Sequence, residues 1–388
     1  MGRVSRFSLE ADPARRRRLR PIIRLGGGRL RPLGADSGEL LDFSSNDYLA
    51  LSEHPALLAA GRQSLERYGT GAGAARLMSG DLELFHRLET ATAQLKGCAA
   101  SLVFGSGYLA NVGVIPALVG RGDVIFGDRL NHASIYDGCR LSGARLRRFR
   151  HNDLNHLEAC LKKERGTGTA LIVVESIYSM DGDFAPLREL TELRARFDCL
   201  LMVDEAHATG IYGPNGGGLV QATGTTAAVD VVMGTYGKAL GSYGAYVAGS
   251  AELVEFLVNR ARGFIYSTAL PPAVVGASLA AVELVRDQPE LRQELHDRVD
   301  FFKCRLQEQG IDQDLGPSQI VPLLVGDGGQ ALRLAEALVG QGIFATAVRP
   351  PTVPEYTARL RFSVTRHHDQ GILAAAAVKI GDLWRSLA

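Results

Sequence analysis

The chain has 388 residues, of which 46% are hydrophobic and 22% charged, and its formal net charge at neutral pH is +1. That describes a globular protein with chain enough for two or three domains and an ample core. A charge so near zero argues against a general attraction to nucleic acid or an acidic membrane surface.

Five cysteines (Cys98, Cys139, Cys160, Cys199, Cys304) lie scattered without CxxC spacing. The pattern argues against a disulfide framework or a zinc site and suits a reducing cytoplasm. The N-terminus is arginine-rich without an apolar leader core, and no apolar run is long enough for a bilayer, so a cytoplasmic protein is expected.

Residues 1–50 read as a helix, a short hairpin marked by Gly26-Gly27-Gly28 and Gly38, and the segment Phe43-Ser44-Ser45-Asn46-Asp47-Tyr48. From about residue 51, helical segments such as Pro186–Phe197 alternate with short apolar runs. The strand candidates are Ser101–Phe104, Asp123–Phe126, Ala170–Val174, Cys199–Val203 and Val229–Met233. Runs this short, without polar alternation, predict a parallel sheet covered by helices on both faces. A large α/β domain is therefore expected over 51–285. After Pro271-Pro272 a helical stretch runs to about 309. Ile320–Val325, a helix near Ala331–Gly340 and Leu360–Val364 then suggest a smaller α+β domain over 286–388.

Ligands of open α/β sheets sit beyond the carboxyl ends of the strands, so the residues that follow each strand carry the chemistry. They are Gly105-Ser106-Gly107-Tyr108 opening a helix, Asp128 with Asn131-His132-Ala133-Ser134, then Glu175, Ser176 and Ser179. Next come Asp204-Glu205-Ala206-His207 and Gly234-Thr235-Tyr236-Gly237-Lys238. An anion cradle, an acid, two imidazoles and an amine thus converge on one crevice.

A phosphorylated pyridine aldehyde needs that set. Backbone N–H groups at a helix start bind phosphate. A carboxylate keeps the pyridine nitrogen protonated, a lysine joins the aldehyde, and imidazoles stack on the ring or bond its phenolic oxygen. Each piece alone has a plainer reading as a tight turn, a helix cap, a core histidine or a surface lysine; their order on consecutive strand ends is what points to this cofactor. Only six lysines exist (Lys96, Lys162, Lys163, Lys238, Lys303, Lys379), which keeps the candidates for an amine few. No third ligand is spaced to join Asp204 and His207 around a metal. Gly69-Thr70-Gly71-Ala72-Gly73 follows a helix rather than a strand and so fails as a dinucleotide fingerprint.

The stretches SMDGD (Ser179–Asp183), DEAHATG (Asp204–Gly210), GTYGKALG (Gly234–Gly241) and YSTALPP (Tyr266–Pro272) resemble the α-oxoamine synthases. These are fold type I, aspartate-aminotransferase-like, pyridoxal-phosphate enzymes, and the resemblance spans nearly the whole chain. It implies Lys238 as the cofactor-bearing lysine, Asp204 as partner of the ring nitrogen and His132 as the stacked imidazole. His207 and Ser179 match residues near the cofactor's oxygen and substituents, Thr235 a phosphate contact, and Gly107 and Tyr108 the cofactor loop. Arg361 matches the grip on the amino-acid carboxylate, a task suited to a planar fork of donors, with Asn46 close by. A homodimer is implied as well.

Within the family, RPPTVP (Arg349–Pro354) before RLR (Arg359–Arg361) looks like the branch that joins L-alanine to a pimeloyl thioester with loss of carbon dioxide. The resemblance then places Arg349, Thr352 and an arginine from Arg17 or Arg18 near the acyl substrate. Relatives that join glycine to an acetyl thioester share the catalytic residues. Two departures stand out: Ala74 and Ala75 replace a common Gly-Ser, and Ala50 replaces a common glycine.

Overall fold

A computed structural model describes residues 19–34 and 38–386. The strands, in chain order, are β1 Ile22–Gly26, β2 Arg29–Pro32, β3 Leu40–Asp42, β4 Ala100–Phe104, β5 Val124–Asp128, β6 Arg145–Phe149 and β7 Ala170–Glu175. They continue with β8 Leu200–Asp204, β9 Val231–Thr235, β10 Ala245–Gly249, β11 Ile320–Gly326, β12 Ile343–Phe344, β13 Thr346–Val348 and β14 Ala358–Ser363. The chain divides into two compact units. The larger comprises Asp47–Ser179 and Asp183–Glu294, the smaller the described residues up to Asn46, residues 180–182 and the described residues from Leu295 onward.

The larger unit is built on a seven-stranded sheet of order β4-β10-β9-β8-β7-β5-β6. Only β10 runs against the rest, paired antiparallel to both β4 and β9. Every residue of β5 and β7 is buried, as central strands covered on both faces require. The helices Gly107–Leu118, Ala133–Ser142 and Ala251–Arg260 contribute to that covering through Val114, Ile115, Ile135 and Leu257, which join the strand residues in one core.

The five strands expected from the sequence are present, and two more join them. β6 carries Arg145, Arg147 and Arg148 and lies at the sheet edge, where charged side chains protect a strand from unwanted pairing and also erase its apolar signal. β10 is short and follows the glycine-bearing turn at Gly241 and Gly244, which hides it for another reason. The expected helical stretch after Pro271-Pro272 is two helices, Pro272–Asp287 and Glu290–Glu308, and Pro289 marks the break.

In the smaller unit the N-terminal hairpin does not stand apart. β3 pairs in parallel with β12, so a four-stranded sheet β1-β2-β3-β12 joins the chain's beginning to its end. A second sheet, β11-β14-β13, lies in the same unit. Phe43 packs against Phe302, Phe362 and the ring of His368, the last stacked at 4.2 Å between centroids. The division between the units in the C-terminal half falls at Glu294/Leu295, and the segment expected as 1–50 contributes residues to both. Among the described residues no helix is long and apolar enough to cross a membrane.

Candidate active site

In the larger unit the carboxyl ends of five strands deliver their side chains as short, well-anchored turns. β8 ends at Asp204, which is buried; its carboxylate accepts from Asn111 Nδ2 at 3.1 Å and from Ala206 N at 2.9 Å. Asn111 also donates to Ser134 Oγ at 2.9 Å, and Ser134 Oγ lies 2.7 Å from His132 Nδ1. One hydrogen-bond chain therefore links the strand-end acid to the imidazole expected to stack on a ring. Burial draws the pKa of His132 below its ordinary value against the pull of Asp204, with Lys238 adding to the lowering, so the ring is neutral at physiological pH.

Lys238 follows β9 and is half-buried; its Nζ lies 2.7 Å from His207 Nε2. The other nitrogen of His207 meets Tyr48 Oη at 2.9 Å. When the ammonium donates to Nε2, Nδ1 carries the ring proton and donates to Tyr48, which fixes one tautomer. The remaining lysines are committed or remote. Lys96 is buried against Glu205, Lys162 pairs with Glu158 and Lys163 is exposed. Lys303 and Lys379 donate to the carbonyls of Gly316 and Gln341 in the smaller unit. The amine at the strand ends is Lys238.

Glu175 ends β7 directly opposite Asp204 in register, and its carboxyl accepts the His132 backbone N–H. Burial raises its pKa well above the usual carboxylate range, and the charge of Asp204 adds to that. Two acids thus sit on neighbouring strand ends in different surroundings: Asp204 accepts from Asn111, while burial favours the neutral form of Glu175.

Gly107 and Tyr108 open the helix Gly107–Leu118, with Ser106 as cap donating no N–H but accepting that of Leu109. The N–H groups of Gly107 and Tyr108 have no acceptor among the described residues, and the positive end of a twelve-residue helix stands behind them. The Tyr108 hydroxyl donates to Asp137 instead. Thr235 Oγ donates to Gly244 O at 2.7 Å and accepts from Gly237 N at 3.1 Å, which braces the turn that carries Lys238. Ser179 lies in the turn beyond β7.

In the smaller unit, Arg361 in β14 is buried and donates to Ser363 Oγ at 2.8 Å and to Asn46 Oδ1 at 3.1 Å. Its neighbour two residues earlier, Arg359, is paired with Asp181. Arg349 and exposed Thr352 share one turn through Thr352 N to Arg349 O, 3.0 Å. Arg17 and Arg18 lie outside the described residues. Of the sequence departures, Ala74 and Ala75 are tied to Ala269 and Thr268 by backbone bonding. Ala50 has φ 57, a left-handed backbone that favours the glycine it replaces.

Asn111, a polar residue in an otherwise apolar helix, carries no signal of its own in the sequence, yet it bridges Asp204 and Ser134. Nor does the sequence assign a role to Tyr48 or Glu175. Among the described residues no cluster of His, Cys, Asp or Glu could hold a metal ion.

The donor set fits pyridoxal phosphate: an amine beside an imidazole, a buried acid, an imidazole whose charged form is disfavoured, and two N–H groups at a helix start with no acceptor among the described residues. A sequence profile of the aminotransferase class I and II family matches residues 38–380. The 8-amino-7-oxononanoate synthase of Geobacter sulfurreducens is 50% identical over 356 residues, 91% of this chain and 91% of that one. The chain belongs to the 8-amino-7-oxononanoate synthase family. In solved structures, the same enzyme of Francisella tularensis superposes with a TM-score of 0.77 at 27% identity, covering 90% of this chain and 98% of that one. A serine palmitoyltransferase variant from S. paucimobilis with bound PLP–myriocin gives a TM-score of 0.90 at 29% identity over 95% and 93% of the two chains.

Proposed function

We propose that this chain condenses L-alanine with a pimeloyl thioester to give 8-amino-7-oxononanoate, carbon dioxide and free thiol, as a pyridoxal-phosphate-dependent acyltransferase of biotin biosynthesis. The observation that carries the reading is Lys238 paired with His207 beside the acid–imidazole chain from Asp204 to His132, in a chain half identical to a protein of that name. It works as a cytoplasmic homodimer.

Overall, the Cα–H bond of alanine breaks and Cα bonds to the thioester carbonyl carbon as the thiolate leaves. The carboxylate then departs as carbon dioxide and a proton returns to Cα. Bound pyridoxal phosphate supplies the sink for the electrons released at Cα. Lys238 holds the cofactor, then carries the Cα proton on Nζ, with His207 2.7 Å away to orient it and share that proton. Asp204 would pair with the ring nitrogen, and Asn111 keeps its carboxylate aimed. His132, whose charged form burial disfavours, would stack on the ring. The helix start at Gly107 and Tyr108, with Thr235, would hold the phosphate, and Ser179 would meet the ring substituents. Arg361 and Asn46 grip the alanine carboxylate; Arg349, Thr352 and an arginine of the Arg17/Arg18 pair serve the acyl chain.

The test is a product assay by mass spectrometry, with L-alanine or glycine crossed with pimeloyl-CoA and acetyl-CoA. Alanine plus pimeloyl minus carbon dioxide should dominate. A dominant glycine–acetyl product would move the chain to the acetyltransferase branch, and absence of free thiol and ketone from every pairing would overturn the reading.

A further inference from the structure

His151 lies just beyond the edge strand β6, with both ring nitrogens on carboxylates. Nδ1 is 2.9 Å from Asp128 Oδ1 and Nε2 is 2.7 Å from Asp183 Oδ2. Ionised carboxylates only accept hydrogen bonds, so a ring bonded to one at each nitrogen carries a proton on both. Asp128 is fully buried and also accepts the N–H groups of Leu130 and Asn152 at 2.9 and 2.8 Å. Burial works against the charge on His151, yet the two acids push its pKa up to about 10. The ring of Tyr178 meets it edge-on at 4.4 Å.

The two acids belong to different turns. Asp128 ends β5, and its carbonyl accepts from Asn131 N and Tyr136 Oη, so the turn that delivers His132 is wound around it. The Asp183 carbonyl accepts from Tyr178 N, and Ile177 pairs with Phe184, so Asp183 closes the hairpin that contains Ser179. Asn152, in a left-handed backbone (φ 51), adds bonds to Asp183 Oδ2 at 2.8 Å and Phe184 O at 3.0 Å.

We propose that His151 is a positioning residue for this site, a charged imidazole that ties the turn carrying His132 to the turn carrying Ser179. Without its charge, Asp128 and Asp183 would face each other unscreened; Tyr178, within the hairpin, is the other titratable group against the ring. The turns would then drift apart. Reactions that depend on a held geometry lose roughly 10²-fold for a misplacement of about 1 Å. The inference rests on the functional reading only for what His132 and Ser179 do there.

The test compares wild type, His151→Gln, Asp183→Asn and the double variant His151→Gln/Asp183→Asn, all loaded with pyridoxal phosphate. The readouts are cofactor affinity, kcat and KM for each substrate, and Tm. His151→Gln should bind the cofactor more weakly and lose roughly 10–10²-fold in kcat at nearly unchanged KM. Asp183→Asn should do the same to a lesser degree. The double variant, with one acid neutralised, should recover part of the loss at a Tm like that of the single variant. Normal kcat per bound cofactor in His151→Gln, or a double variant worse than either single one, would overturn the proposal. Wild type that binds the cofactor but makes no condensation product would instead overturn the substrate reading, and the affinity series would still decide the role of His151.

Discussion

Two lysines of the larger unit meet opposite surroundings. Lys96 ends the helix Glu83–Lys96, is 2% exposed, and donates to the carboxylate of Glu205 and the carbonyl of Gly217. Lys238 is half-buried beyond β9 and hydrogen-bonds the imidazole of His207. Burial is the largest single influence on Lys96 and draws its ammonium pKa down, yet Glu205 and Tyr246 together outweigh it, so the pKa is raised. Its proton cannot leave without stranding a buried carboxylate. An imidazole imposes no such penalty, since it can accept the proton and return it. The lesson is that the partner, more than burial, decides whether a lysine braces or reacts. Lys96 still serves the site, from behind. Glu205 adjoins Asp204, takes Val220 N at 2.9 Å, and lies so close to Gly218 that a side chain there would collide with it. The turn that aims Asp204 and His207 is thereby pinned.

The comparison breaks most readily at Lys238. Lys238→Ala should lose roughly 10²–10⁴-fold in turnover from the proton-transfer role alone, with Tm close to wild type; a large fall in Tm would mean that Lys238 braces as well. Lys96→Met should do the reverse. It leaves Glu205 buried without its cation, a loss of about 3–5 kcal/mol in unfolding free energy measured by denaturant titration. Adding Glu205→Gln should restore much of that, because a buried pair replaced by neutral groups costs less than half a pair. The raised pKa of Lys96 also fixes a sign. Its contribution is complete below the ordinary lysine value of 10.5 and is lost as pH rises through the higher folded value, so Lys96→Met should lack that alkaline loss.

Smaller changes sharpen the reactive side. Tyr48→Phe removes the hydroxyl 2.9 Å from His207 Nδ1, which should cost about 0.5–1.5 kcal/mol, read as a several-fold fall in kcat with a shifted pH profile. An unchanged profile would remove Tyr48 from the account. Ala50→Gly should raise unfolding free energy by about 0.5–1 kcal/mol, because a left-handed alanine costs roughly 1–2 kcal/mol and glycine returns part of that in chain entropy.

Asp204, His207 and Lys238 were legible in the sequence because each follows a buried apolar strand, where an α/β sheet exposes its chemistry. Lys96 was not, since a lysine in the last turn of a helix reads as an ordinary exposed cation, and its partner lies over a hundred residues away. Asn111 and His151 were hidden likewise: their meaning depends on Asp204 and Asp183, which only the folded sheet brings near. The parallel strands could be read from their unbroken apolar runs, but not β6, whose arginines mask an edge, nor the pairing of β3 with β12 across the chain's length.

The most direct test of the difference between the two lysines is chemical. The purified protein would be loaded with pyridoxal phosphate, reduced with borohydride, digested and mapped by mass spectrometry. The pyridoxyl mass should lie on the peptide that contains Lys238, with none on Lys96. The label on Lys96, or on no single lysine, would contradict that difference.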